Sequence, residues 1–464
     1  MATAYTIRIA PDNTGLCKVR QDESTAKAAS DLLQDDLEKH HVFFNPRGFH
    51  NHISHHILSL YGTGASSEDM KKGFDGNKSY QRPAFEAHRE VIEGLKDWEV
   101  AKGRLANELH YPDFLAFFQK EIERLGWQQV LKEYVFNGDT KSEDMMLRMF
   151  SGELVGQTAM PRYMLPKGCP DWKLTASPAL LHSLIQLMYG VEWEQPAMVA
   201  MGLAQAAVHR DSLRAFLLGA EEAAKSNPDP MPSIVSLLEE IRSNKTVAAA
   251  VEKAGIDEIR QGVLEGTWDE TIAIASRVKI KPEELDERTA EMYDSTIYAS
   301  AAAAFRPGKY PKFDFILMHH VNVNPIFLVI NRQDWIPIES KVRLLEWKIR
   351  IDIAHYVNRG CPPLSLENVA SYVPTDKSIG PADAQLPRVH ALDDDGHAIK
   401  LFRALILGRE LSEKYGDRDW ANVKGDCLWT RLIHLMVDSA ESPGPRWIRS
   451  KMLGASWAFI PDLP

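Results

Sequence analysis

From Ser24 almost to the end of the chain, apolar residues recur at spacings of three and four, and sustained two-residue alternation is scarce. A chain patterned in this way buries one stripe per segment by packing helix on helix. The stretches Pro83–Lys102, Tyr111–Phe136, Pro178–Tyr189, Pro196–Ala224, Met231–Ala254 and Ile256–Val278 all read as helical. Asp113 stands where it can cap the stretch carrying Phe114, Phe117 and Phe118, and Asp394 or Asp395 can cap a helix from His397 to Leu407. Tyr5–Ile9 is a short extended candidate inside a loosely ordered segment, residues 1–30. Residues 31–464 should form one catalytic unit. The expected class is therefore mainly α, a single large helical domain with long loops and little strand. A chain of 464 residues, 44% of them hydrophobic, can bury such a core. Val373–Asp394 carries three prolines and little periodicity, and irregular stretches of that length often serve function.

Charge and motifs remove several classes of activity. A formal net charge of −10 without Lys/Arg runs argues against nucleic acid or an anionic membrane as partner. The N-terminus lacks a signal peptide's apolar region, and no apolar run approaches bilayer length, so the expected address is cytoplasmic. Cys17, Cys169, Cys361 and Cys427 lie far apart, which fits neither a thiolate metal site nor a disulfide framework. Gly62-Thr63-Gly64 is the nearest approach to a dinucleotide fingerprint. It lacks the third glycine and closes a helix, so it reads as a C-terminal cap turn. Neither a phosphate-binding lysine loop nor a serine nucleophile elbow occurs.

Histidine is what remains. The chain has sixteen, and six fall between Lys39 and His56: His40, His41, His50, His52, His55 and His56. Phe49–Leu58 reads as a helix with Phe49, Ile53, Ile57 and Leu60 toward the core. His52 and His56, at i and i+4, then share a face, a common half-site for a divalent metal. Core histidines satisfied by hydrogen bonds are the plainer reading. His319 and His320 end an apolar run, His182 is flanked by core residues, and His397 opens a helix after the long loop. His209 and His355 are weaker candidates, while His88, His110, His390 and His434 read as ordinary surface or helix residues.

Four blocks carry a family likeness. Phe49-His50-Asn51-His52 through His55-His56 to Leu58, followed by Leu60-Tyr61-Gly62-Thr63-Gly64-Ala65, resembles the opening motif of the questin oxidase-like family. Gln195–His209, Leu345–Asp352 and Asp395–Leu405 resemble three later blocks in the same order, so the likeness spans about Asn45 to Leu405. The resemblance implies an oxygenase of fungal polyketide secondary metabolism acting on a small planar aromatic substrate, an anthraquinone. The most similar branch cleaves a ring C–C bond with non-haem Fe(2+) and O2, giving a benzophenone. There the iron is held by four histidines and a lysine carboxylated by CO2. Carried onto this chain, the ligands would be His52, His56, His319 and His397 with Lys377, and His182 in reserve. Near His182 the family tends to carry a second histidine where this chain has Gln186, and an acid where it has Met201.

The chemistry is coherent. Ground-state O2 is a triplet and reacts slowly with a closed-shell aromatic unless a metal intervenes. Neutral imidazoles leave the metal its full charge, and one anionic ligand would offset part of it. Lys377 can provide that anion only as a neutral amine that has captured CO2; read without the resemblance, it is a solvated loop lysine. Two other readings stay open: an NADPH-dependent Baeyer–Villiger-type monooxygenase on an anthraquinone, and a non-catalytic helical scaffold that binds a polyketide.

Overall fold

The computed structural model describes residues 1–45, 48–150, 181–254, 266–375, 380, 382–449 and 457–464. The expected class holds. The protein is a single mainly helical domain, and among the described residues extended pairing is limited to isolated bridges such as Phe43 with His50 and Asp314 with Ile448. No described helix is long and apolar enough to cross a membrane.

Eleven helices frame the interior: α1 (Glu23–Lys39), α2 (Ile53–Gly62), α3 (Ser67–Lys78), α4 (Tyr111–Leu125), α5 (His182–Glu192), α6 (Pro196–Val208), α7 (Leu285–Ala302), α8 (Phe315–Asn322), α9 (Ile338–Asn358), α10 (His397–Tyr415) and α11 (Asp426–Glu441). Helices α2 and α8 are buried along their whole length, and α6 along all but its first residue. A helix that is apolar all round belongs inside a large helical protein. Helices α5 and α6 cross at very short range. A Cβ added at Gly190 would lie 2.7 Å from the Val199 nitrogen, and one at Gly202 3.0 Å from the Leu187 nitrogen. Only glycine permits that approach. The start of α8 is pinned by Asp314, which accepts from the amides of Ile316 (2.9 Å) and Leu317 (3.0 Å) and from buried Arg359 (2.8 Å). That pin fixes where His319 points.

Several stretches that read as continuous are broken. Pro83–Lys102 supplies only Arg89–Gly94 and Trp98–Lys102, because Ala84 donates to the Lys39 carbonyl (2.8 Å) and Asp97 caps anew. Tyr111–Phe136 is interrupted at Gly126, φ +81°. Pro196–Ala224 stops at Val208 and resumes at Arg214. Met231–Ala254 is recapped at Asn244, whose side chain accepts from Thr246 (2.9 Å) and Val247 (3.1 Å). Of Pro178–Tyr189 the described part begins its helix at His182, and of Ile256–Val278 only Trp268–Ala275 is described as helix. Asp113 is not a cap. It lies within α4, fully buried, accepting from the His88 amide (2.6 Å) and paired with His110 (2.8 Å). The N-cap position of α10 is Gly396 rather than Asp394 or Asp395, and Asp394, two residues before it, accepts from the first-turn amide of Ala398 (2.7 Å). Gly62–Gly64 forms the expected turn closing α2, with Gly64 at φ +86°.

Tyr5–Ile9 forms no strand. Its amides are consumed by side chains instead: Ile7 by Gln34 (2.8 Å), Arg8 by Gln195 (2.9 Å) and Ile9 by Ser30 (2.8 Å). Ala4, Ile7, Ile9 and Leu16 are buried, and α1 begins at Glu23 after its Asp22 cap. The first 22 residues are thus irregular in backbone but stitched to the domain.

Candidate metal centre

The helix expected from Phe49 begins only at Ile53. Phe43 and His50 pair as an extended bridge, and the Asn51 side chain takes the Ile53 amide (2.9 Å) while donating to buried Asp36 (2.6 Å). An Asn that satisfies a free helix amide ends the helix at that point. His50 and His52 therefore precede α2 and turn away from His56.

His52 meets His182, the first residue of α5, with their Nε2 atoms 3.0 Å apart. His397, opening α10, meets His319 of α8 with Nε2 atoms 3.1 Å apart. The His52 and His397 rings lie edge to face at 4.5 Å, joining the pairs. Donor atoms of His52, His182 and His397 all lie within 4.8 Å of one another. Behind them His50 stacks on His182 at 4.3 Å and reaches His209 (Nε2 to Nε2, 2.8 Å), whose Nδ1 meets Ser183 (2.7 Å). All these imidazoles are buried.

Their protons can be placed. Nδ1 of His52 donates to the Asp395 carbonyl (3.2 Å), Nδ1 of His319 to the Phe315 carbonyl, and Nδ1 of His397 to the Asp395 carboxylate. Each acceptor holds the hydrogen on Nδ1 and leaves Nε2 a bare lone pair. Lone pairs of His319 and His397 thus face each other at 3.1 Å with no proton between them. Burial drives the pKa of His182, His319 and His397 well below 6.5, and lowers that of His52, where the Lys400 charge adds to burial. Neutral, converging imidazoles suit a divalent transition metal. Two imidazole nitrogens about 2.1 Å from one ion and at right angles would stand about 3.0 Å apart. Among the described residues the buried Nδ1 of His182 has no partner.

The expected ligands part company here. His52, His182, His319 and His397 are brought together. His56 is not: its Nδ1 meets Asn77 of α3 (3.0 Å), and its ring fills the space beside Gly73 and Gly396. Lys377 lies outside the described residues. Gln186 and Met201, where the resemblance leads one to expect a histidine and an acid, touch each other (Nε2 to sulfur, 3.7 Å).

Two residues emerge whose chemical role the sequence does not announce. Asp395 accepts from His397 and, through its backbone, from His52; burial alone would raise its pKa, but these histidines hold it well below the carboxylate range. Lys400, one turn into α10, is fully enclosed and touches His55 (Nζ to Nδ1, 3.2 Å); burial pushes its pKa down to about 8. Asp395 also lines a cavity of about 480 Å³, together with Tyr80, Arg446, Trp447, Arg449 and Phe459. The Trp447 ring stands 6.4 Å from that of His397.

Comparison with known proteins agrees with the resemblance. Residues 49–405 match the sequence profile described as questin oxidase-like, and the chain belongs to that family. It is 31% identical to a protein named questin oxidase from Aspergillus fumigatus, over 99% of this chain and the whole of that one. It is 33% identical to the oxidoreductase AflY of Aspergillus parasiticus, over 97% of this chain and 86% of the relative. The Baeyer–Villiger monooxygenase dmxR6 of a Cryptosporiopsis species is 31% identical over 99% of both.

Proposed function

We propose that this chain, as a questin oxidase-like protein, is an oxygenase that opens the ring of an anthraquinone-type polyketide. In its sharper form the proposal is a non-haem iron dioxygenase that cleaves a ring C–C bond to give a benzophenone. The observation that carries the reading is the buried convergence of four imidazoles, of which His52, His319 and His397 hold their protons on Nδ1 and turn Nε2 lone pairs inward. A structural histidine cluster would share a proton across each N···N contact. Between His319 and His397 the Nδ1 acceptors of both rings prevent it.

His52, His182, His319 and His397 would hold Fe(2+). When bound, iron(II) supplies a one-electron route past the spin barrier between O2 and a closed-shell aromatic. The chain's own residues do the rest. Burial keeps the imidazoles unprotonated at neutral pH, so their lone pairs remain donors. Asp395 fixes the His397 ring as second-sphere carboxylates do, and its carbonyl orients His52. Lys400 sets a positive charge beside the nest whenever it is protonated.

The names of the relatives support an oxidative reaction and also favour a second reading. Several are called Baeyer–Villiger oxidases, among them ptaJ of Pestalotiopsis fici and mdpL of Emericella nidulans. A monooxygenase of that kind puts one oxygen atom into product and reduces the other to water with NADPH. A dioxygenase incorporates both atoms; with the two-electron-reduced anthrahydroquinone as the species that meets O2, ring opening to a hydroxybenzophenone acid balances with no further reductant. The test is elemental analysis of the purified protein joined to 18O2 labelling of the product formed from a pre-reduced anthrahydroquinone without NADPH. Stoichiometric iron and two labelled oxygen atoms per benzophenone are expected, with His319→Ala losing both. One labelled atom per product, formed from the quinone only with NADPH, would overturn the dioxygenase in favour of the monooxygenase.

A further inference from the structure

Beside the nest, the cavity of about 480 Å³ has flat apolar walls from Tyr80, Pro445, Trp447 and Phe459, and two arginines in its rim. Its size falls in the range of roughly 300–1,000 Å³ typical of small-molecule sites. The arginines differ in what they have left to offer. Arg446 is spent on the fold: Nε donates to the Ala440 carbonyl (3.1 Å), and Nη1 to the Asp393 carbonyl (2.7 Å) and the Asp394 carboxylate (3.0 Å). Arg449 makes no hydrogen bond among the described residues; its nearest carboxylate oxygen, on Asp395, is 4.0 Å away. Its guanidinium lies over the Phe315 ring at 4.3 Å. Stacking of this kind holds the fork by its face and leaves the in-plane N–H donors free.

Phe315 ties this fork to the nest, for its ring lies 4.4 Å from that of His319 and 5.0 Å from that of His397. The acids in the wall do not use up the fork. Asp394 is engaged by Arg446 and the Ala398 amide, and Asp395 by His397. A ligand must therefore bring aromatic faces for the walls and paired acceptor oxygens for the fork.

We infer that this cavity is the substrate chamber and that Arg449 reads the substrate through two parallel hydrogen bonds to neighbouring oxygens, the hydroxyl and quinone carbonyl along one edge of a hydroxyquinone. The inference rests on the oxygenase reading for the identity of the ligand, but the binding it describes needs no turnover. Arg449 is a specificity residue: a quinone without a hydroxyl beside its carbonyl fills only one prong.

The test is equilibrium binding to wild type, Arg449→Leu and Arg449→Lys, followed by quenching of tryptophan fluorescence, since Trp447 lines the chamber. The probes are danthron, which carries hydroxyls beside a quinone carbonyl, and unsubstituted anthraquinone. Loss of a charged two-pronged contact should weaken danthron about tenfold to a hundredfold in Arg449→Leu. Anthraquinone should change by no more than about threefold, with Arg449→Lys in between because it keeps the charge and loses the fork. Equal weakening of both probes, or of neither, overturns the assignment. Should Arg449→Leu fail to fold, Arg449→Lys decides on the same ratio. Selective danthron binding by a protein that consumes no O2 would sink the oxygenase reading alone. O2 uptake that proceeds with no change in probe ratio would sink the role of Arg449 alone.

Discussion

Asp395 performs two tasks from one position: its carboxylate fixes His397 and its carbonyl fixes His52. Asn in its place keeps the size and the backbone carbonyl but removes the anionic acceptor. His397 would then face a neutral amide, which accepts more weakly and can also donate, so its tautomer is no longer set, and iron affinity should fall about 10- to 100-fold. Chelator competition on Asp395→Asn measures this directly, and an unchanged affinity would leave the carboxylate no part in the centre. Nothing local announces the pairing, because Asp395 lies 343 residues from His52. At this scale the sequence is legible by type rather than by partner. The density around His50–His56 marks the region, and the flanking apolar runs mark His182 and His319 as buried. That His52 turns inward while His56 turns to Asn77 depends on Asn51 stopping the helix, a side-chain competition that periodicity does not report. Lys400 was hidden for a similar reason. A lysine in an apolar helix reads as snorkelling to solvent, and only the packing of α10 on α2 encloses it.

Helices were legible as lengths and less so as breaks. The long periodic stretches from Tyr111 and Pro196 do form helices, and what interrupts them is a positive-φ glycine at 126 in one and a turn after Val208 in the other. The junction of the long loop with α10 shows how an element positions the centre. Gly396 sits at φ +93°, and a Cβ there would come within 2.7 Å of the His56 Cβ and 2.8 Å of its Cγ. The backbone conformation and the close approach both demand glycine. Gly396→Ala should therefore destabilise the protein by about 2–4 kcal/mol, strain and overlap combined. It should also weaken iron binding, because His397 is the next residue. Urea denaturation compares it with Gly266→Ala, where an added Cβ meets nothing within 4 Å among the described residues and φ is not left-handed, so stability should stay within about 0.5 kcal/mol. Equal stability of the two variants would mean that the α10 entry tolerates a side chain and does not fix His397.

Taken as a whole, the molecule encloses imidazoles in one interior and so couples its folding to acid. Burial lowers His56 to about 3 and His41 to about 4, and holds His50, His55, His182, His319, His355 and His397 well below 6.5. The folded-state values lie beneath the unfolded ones, so below pH 6.5 the unfolded chain binds more protons than the folded one. Stability then rises with pH up to about 6.5, is flat in these groups above it, and is lost as pH falls toward the folded values. Each such histidine contributes about 1.4 kcal/mol per pH unit in that window. Among the carboxylates, burial raises Asp36, Glu291, Asp294, Glu346 and Asp394, which opposes the trend from their unfolded values of about 4 upward to their folded ones. The metal-free protein should accordingly lose stability steeply between pH 6.5 and 5, with several protons taken up per chain on unfolding. Urea denaturation at closely spaced pH values gives that number from the slope of unfolding free energy. Fewer than one proton would mean that water or open channels solvate the histidines, and the nest would lose the dryness that keeps its lone pairs available. Iron-loaded protein should start from higher stability and fall more steeply still, since protons then compete with the metal for the same nitrogens.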